Sequence, residues 1–187
     1  MRTSTITKSL GLLALLGSSA GMAATVTIVA SNLAPLPGEQ FTMTLQSDVV
    51  NTLAYTGLVS FDATKVQWLS GAMPGSGPWA AGLGGSYTKN TPYASPSVFD
   101  ISTNVETTVA DGTHPIVILT FQALAAGAAN IVINDDGGGC CGFFDNPDAN
   151  FIPVDYVQAN VNVVPVPAAA WLFISALGGL ATLKRRH

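Results

Sequence analysis

Apolar and polar side chains alternate along the middle of this chain with a period of two. Val26, Ile28 and Ala30 alternate with Thr25 and Thr27, and Phe41, Met43 and Leu45 with Thr42, Thr44 and Gln46. Further on, Val157, Ala159, Val161 and Val163 alternate with Gln158, Asn160 and Asn162. Successive side chains of a strand point to opposite faces, so each run predicts a strand with one buried and one wet face. Residues 116–123 are apolar more continuously and predict a central strand. Segments 53–61, 66–69, 98–102 and 131–134 complete the set. Turn chemistry separates them at Pro35-Leu36-Pro37-Gly38, Ala110-Asp111-Gly112-Thr113 and Ala125-Ala126-Gly127-Ala128. No segment between the two ends carries a convincing helical stripe. Eight or nine short strands with Gly/Pro turns predict an all-β domain, a single antiparallel β-sandwich.

The two ends break this pattern. Arg2 and Lys8 form a weakly basic start, Leu10 to Leu16 an apolar run, and small residues follow. Gly21-Met22-Ala23 places small side chains before a cut ahead of Ala24, so residues 1–23 are expected to be a secretory signal peptide removed by signal peptidase. The run is far shorter than the roughly 20 residues of a membrane span. At the other end, residues 165–187 run from a Pro-x-Pro element into an apolar stretch, residues 168–183, and stop at Lys184, Arg185 and Arg186. That stretch is about 24 Å long as a helix, against a hydrocarbon core of about 30 Å. It spans a bilayer only with help from Trp171 at one interface and the basic residues at the other, which suits a temporary anchor. A short buried terminal helix is the alternative. Basic residues stay on the cytoplasmic side, so the body, residues 24–164, is expected on the other side of the membrane.

This tail resembles the PEP-CTERM sorting signal, in the variant whose motif is Val-Pro-Leu-Pro-Ala. The matching residues are Val164, Pro165, Val166, Pro167 and Ala168, with Val166 in place of the usual Leu. The resemblance covers about 24 of the 187 residues. It implies a Gram-negative bacterium that makes exopolysaccharide. It also implies recognition near Pro165 to Pro167 by an exosortase, a membrane cysteine protease-transpeptidase, with transient residence in the inner membrane before the cell surface or extracellular space. The common Glu between the prolines is absent. The resemblance says nothing about what the body does.

Separating the ends changes the charge picture. All 11 acidic residues lie in the body, against Lys65 and Lys89 alone, which leaves −9 where the whole chain carries −4. So acidic a body has no electrostatic footprint for nucleic acid or anionic lipid. Its length of 141 residues is that of one domain with a sizeable core.

The body also resembles cohesin-like sandwiches of jelly-roll type and their carbohydrate-binding-module relatives. Leu33-Ala34-Pro35-Leu36-Pro37-Gly38-Glu39-Gln40-Phe41-Thr42 is similar to the opening of such domains. Gly57-Leu58-Val59-Ser60-Phe61-Asp62-Ala63-Thr64-Lys65-Val66 is similar to their strand ending in an aromatic-Asp turn. Ile118-Leu119-Thr120-Phe121-Gln122-Ala123-Leu124-Ala125-Ala126-Gly127 is similar to their hydrophobic strand before an Ala-Gly turn. The order holds from about Thr25 to Val163. Cohesins bind a dockerin through one sheet face, and no residue here matches that face.

Candidate chemistry sits in two long irregular stretches, residues 73–96 and 135–153. Cys140 and Cys141 are adjacent and the only cysteines. Oxidation is expected outside the cytoplasm. A vicinal disulfide between Cα atoms about 3.8 Å apart is strained; free thiols or a bridge between chains are alternatives. Two adjacent thiolates with no local His make a poor zinc site. Asp135, Asp136, Asp145 and Asp148, with Asn146 and Asn150, offer hard oxygens for Ca²⁺, and a solvated acidic loop is the alternative. Trp68, Trp79, Tyr87 and Tyr93 offer sugar-stacking faces, or else pack beneath the long loop.

Catalysis has little support. His114 is the only histidine of the body and precedes Pro115 at a strand start, where it is expected to be a surface residue. No Gly-x-Ser-x-Gly elbow is present, and Gly82-Leu83-Gly84-Gly85 lacks the Lys-Ser/Thr of a phosphate loop. Asp135 or Asp136 with Asp145 is the one carboxylate combination for glycoside hydrolysis. Two classes follow. One is a non-enzymatic surface or matrix protein contacting exopolysaccharide or another surface protein. The other is a small polysaccharide hydrolase.

Overall fold

Phe41, Met43 and Leu45 point to one side of β2 (Gln40–Ser47) and Thr42 and Thr44 to the other, and the same alternation builds two facing sheets. The computed structural model describes residues 24–90, 95–105, 109, 111–135, 142–145, 150–167, 172 and 175. In the first sheet, β2 lies between β1 (Ala24–Ala30) and β7 (His114–Ala123). β4 (Val66–Ala72) forms one edge beyond β7, and β12 (Val154–Val157) forms the other beyond β1. β7 is thus flanked on both sides, as its continuous apolar run predicts.

The second sheet centres on β3 (Thr52–Ser60), which pairs on one side with β6 (Val98–Asn104). β5 (Ser86–Asn90) forms the edge beyond β6. The other side of β3 is shared by β10 (Gly142–Asp145) and β9 (Val132–Asn134), with β11 (Phe151–Ile152) beyond β10. A small ladder joins β8 (Gly127–Ala128) to β13 (Asn162–Val163). The only described helix, besides isolated helical positions at Leu172 and Ser175, is a 3-10 turn, Ala81–Leu83.

The inward residues form one core between the sheets. Phe41 stacks on Phe121 with centroids 5.9 Å apart, and Phe61 meets Phe121 and Phe99 edge-on at 5.4 and 6.2 Å. Burying each such side chain stabilises by about 1.5–3 kcal/mol.

Four details depart from the sequence pattern. The described residues hold thirteen strand segments, not eight or nine, because several are two-residue pairings. The sandwich is antiparallel except at one edge, where β1 and β12 run parallel, Thr25 opposite Asp155 and Thr27 opposite Val157. A parallel pair needs a long crossover, and nearly the whole domain supplies it.

Residues 157–163 are not one strand. The chain leaves the first sheet after Val157, whose side chain faces solvent, and reaches β13 with Val161 and Val163 buried. Between them the Gln158 amide pairs with the Ile133 backbone, accepting from N–H at 3.2 Å and donating to C=O at 2.5 Å. Finally, the two stretches expected as loops contain β5, β10 and β11.

Candidate binding site

The β3–β6–β5 side of the second sheet presents small polar side chains to solvent. Registration aligns Ala54, Asn104 and Ser86 in one row, Thr56, Ser102 and Thr88 in the next, and Leu58, Asp100 and Asn90 in a third. Their partners at odd positions, Tyr55, Val59, Phe99 and Ile101, are buried, so the alternation that fills the core also sets this face. A shallow depression of about 270 Å³ runs across the first two rows. Ser86 and Asn104 are hydrogen-bonded to each other within it. Asp100 is the one charge of the three rows, and its Oδ1 is buried without a hydrogen-bond partner.

The same side ends in an open edge. β4 and β5 close neither sheet further and pack side by side. Trp68 faces inward from β4, opposite Phe121, and Lys89 faces inward from β5, opposite Ile101. The Lys89 ammonium lies 3.7 Å from the centre of the Trp68 ring and 4.6 Å from that of Phe99. The two rings are themselves 5.3 Å apart. Burial against these rings pulls Lys89 below the usual lysine range.

Next to it, the Tyr87 ring covers Gly71, where any Cβ would collide with it, and burial pushes the Tyr87 phenol up to about 12. A concavity of about 300 Å³ opens here, lined among others by Phe61, Val66, Gln67, Trp68 and Lys89. Trp68 Nε1 and the Tyr87 hydroxyl are buried with no partner. Among the described residues four buried side-chain polar atoms lack a hydrogen bond, and three of them belong to β4, β5 and β6. The fourth is Nε2 of His114, a half-buried residue beside Gly112.

The residues singled out in the sequence fall elsewhere or only partly here. Trp79 is 1% exposed and meets Phe143 edge-on at 6.4 Å, so it has no face to offer a sugar. The loop folds back over the core, and the indole is its plug. Tyr87 does sit at the open edge, and Tyr93 lies outside the described residues. Trp68 is the half-buried indole of the open edge, which its place in an apolar run did not distinguish from core.

In the acidic stretch, Asp145 accepts from the Asn150 backbone N–H at 2.6 Å and from Asn150 Nδ2 at 3.4 Å. Asp135 hydrogen-bonds to Tyr156. Tyr156 in turn reaches the hydroxyl of Tyr55 at 3.4 Å. Asp136, Cys140, Cys141, Asn146 and Asp148 lie outside the described residues. No group of three metal-ligating side chains occurs among those described.

Solved structures with the same arrangement are cohesin modules. A second type II cohesin from the adaptor ScaA scaffoldin of Acetivibrio cellulolyticus superposes with a TM-score of 0.61 at 16% identity, over 77% of this chain and 99% of the other. A type II cohesin from Bacteroides cellulosolvens gives 0.59 at 15%, over 76% and 99%. A non-cellulosomal cohesin from the archaeon Archaeoglobus fulgidus gives 0.55 at 9%, over 75% and 91%. The body is a cohesin-like β-sandwich. No family model and no curated protein matches the chain.

Near the end of this cohesin-like body Asn162 N–H donates to the Leu33 carbonyl and Val164 N–H to the Pro35 carbonyl, at 2.9 and 3.0 Å. Pro165, Val166 and Pro167 follow as exposed residues. Ala168, Lys184, Arg185 and Arg186 lie outside the described residues, as do residues 1–23. Among the described residues no helix is long and apolar enough to cross a membrane.

Proposed function

We infer that this chain is an exported, non-catalytic binding module of the cell surface or extracellular matrix. Signal peptidase removes residues 1–23, and an exosortase reads Val164 to Ala168 and cuts the tail after transient residence in the inner membrane. The placement of the motif supports this. Pro165 to Pro167 are exposed directly after Val164, whose N–H is tied to the Pro35 carbonyl, so a protease reaches them without opening the sandwich. The mature body contacts a surface protein, and exopolysaccharide beside it.

The observation that carries the binding role is the β3–β6–β5 face of a cohesin-like fold. It carries Thr56, Ser86, Thr88, Ser102 and Asn104 in its first two rows, and holds a buried Asp100 oxygen with no partner. A buried acceptor without a donor costs about 1–3 kcal/mol, and a donor from a docked protein removes that cost. Two cohesins with this fold are seen in complexes with dockerins. For the hydrolase alternative, Asp145 accepts from the Asn150 N–H and Asp135 is hydrogen-bonded to Tyr156, while Asp136 lies outside the described residues.

The test is photo-crosslinking in the producing cells. Crosslinkers at Thr56 and Ser102 are expected to trap one protein partner, and those at Thr42 and Thr120 on the opposite sheet are not. Equal trapping from both faces rejects the assignment.

A further inference from the structure

Two features meet at the β4–β5 edge, and together they describe a ligand. The first is a cation. Lys89 is one of two basic residues in a body of 11 acids, and among the described residues it makes no ion pair. Its ammonium is held against Trp68 and Phe99 by its own apolar stem. The second is an aromatic wall, Phe61 with Trp68, in a concavity of about 300 Å³, the lower end of the range for small-ligand sites.

Lys65, the other cation, sits in the turn that contributes Ala63 and Val66 to the same concavity. Both cations of the body therefore lie beside this concavity, Lys65 with Asp62 in its own turn and Lys89 without a carboxylate.

We propose that this edge binds a hexuronate unit of an acidic polysaccharide, with its carboxylate on Lys89 and one apolar ring face against Phe61 and Trp68. A single sugar supplies both requirements, an axial-hydrogen face for the aromatic wall and a carboxylate for the ammonium. The acidic surface elsewhere repels the same polymer, so contact is confined to this edge. Screening over about 8 Å at physiological salt keeps that repulsion local. The inference rests on the polysaccharide contact proposed above and specifies its chemistry and its place.

The test titrates the full purified chain by calorimetry with an oligogalacturonate and with the neutral oligosaccharide obtained by reducing its carboxyl groups. The hexuronate oligomer is expected to bind at least tenfold more tightly, with affinity falling as salt rises. Lys89→Met keeps the apolar stem and removes only the charge, and should weaken hexuronate binding about tenfold with an unchanged melting temperature. Trp68→Phe keeps an aromatic wall of smaller area, and should weaken it less.

Equal affinity for the two oligomers overturns the proposal, as does an unaffected Lys89→Met. If that variant instead self-associates with binding intact, Lys89 guards the edge strand against pairing, and the proposal fails. Tight binding of a carboxylate-terminated peptide with no hexuronate binding overturns it in favour of a protein ligand. Neutral-polysaccharide binding untouched by Lys89→Met sinks this site but leaves the polysaccharide contact standing. No binding of any polysaccharide, with crosslinking from Thr56 intact, removes the polysaccharide contact and this site together, and leaves the protein-binding face.

Discussion

The two edges of the sandwich use similar ingredients differently. At the β11–β12 edge, Tyr156 reaches across the sheets to Tyr55, which is fully buried and lies 4.7 Å from the Phe143 ring. Asp135 bonds to Tyr156, so every hydroxyl in the cluster has a partner. At the β4–β5 edge, Trp68 Nε1 and the Tyr87 hydroxyl have none, and Lys89 rests on rings instead of a carboxylate. Pairing makes the first edge a seam of the fold. Buried polar atoms without partners are destabilising by about 1–3 kcal/mol each, and a fold keeps them where a bound molecule offsets the loss. The proposed binding on the β4–β5–β6 side rests on this contrast.

The largest effect expected from this contrast is at the closed edge. Phe143→Ala removes a buried ring touching Tyr55 and Trp79, and should destabilise by about 3–5 kcal/mol, a drop of roughly 10 °C or more. Chemical denaturation of this variant beside Trp68→Phe makes the comparison. Trp68→Phe removes a donor that has no partner, so its stability should stay within about 1 kcal/mol of the parent. A larger loss at Trp68 than at Phe143 breaks the contrast.

pH sharpens it next. Burial first, with Asp135 adding to it, raises the Tyr156 phenol from 10.0 to about 12. Burial alone raises Tyr87 to about 12. A phenol whose folded pKa is raised binds its proton more tightly in the native state, so its contribution is complete below about pH 10 and is lost as pH climbs toward 12. Thermal melts should fall across that window. Ultraviolet titration of Asp135→Asn should lower the Tyr156 value and leave Tyr87 in place. A shift of both phenols would mean that the edges are coupled.

Calcium gives the smallest effect. Asp135 and Asp145 are already engaged by Tyr156 and Asn150. Millimolar calcium is therefore expected to move the melting temperature by less than about a degree. A rise of several degrees, lost in Asp135→Ala/Asp145→Ala, would make the loop beside the closed edge a metal site with Asp136 and Asp148 as further ligands.

Much of the fold was legible because half-buried strands write their two faces into alternate residues. Val26 to Ala30 and Phe41 to Leu45 are read directly, and the flanked position of β7 follows from its unbroken apolar run. β5 was missed because Ser86-Tyr87-Thr88-Lys89-Asn90 contains no aliphatic residue, and the partner of its inward Lys89 is a distant ring. β10 and β11 were hidden among glycines and acids that signal turns. The strand expected over 157–163 failed at Gln158, whose side chain mimics a backbone partner and lets the chain change sheets.

The site was less legible than the fold. Trp79 in a Gly/Pro-rich stretch and Trp68 in an apolar run give opposite impressions of exposure. Which strands are edges depends on pairings far apart in sequence, and that alone leaves Trp68 open and Trp79 enclosed.

The most direct measurement is the indole N–H spectrum of the ¹⁵N-labelled protein during titration with oligogalacturonate. Trp68 and Trp79 give separate signals from the open edge and the core. The Trp68 signal should shift as a sugar ring docks beside its indole, while the Trp79 signal stays fixed. Movement of Trp79 with Trp68 unchanged, or a spectrum that does not respond, would contradict the assignment of binding to the β4–β5–β6 side.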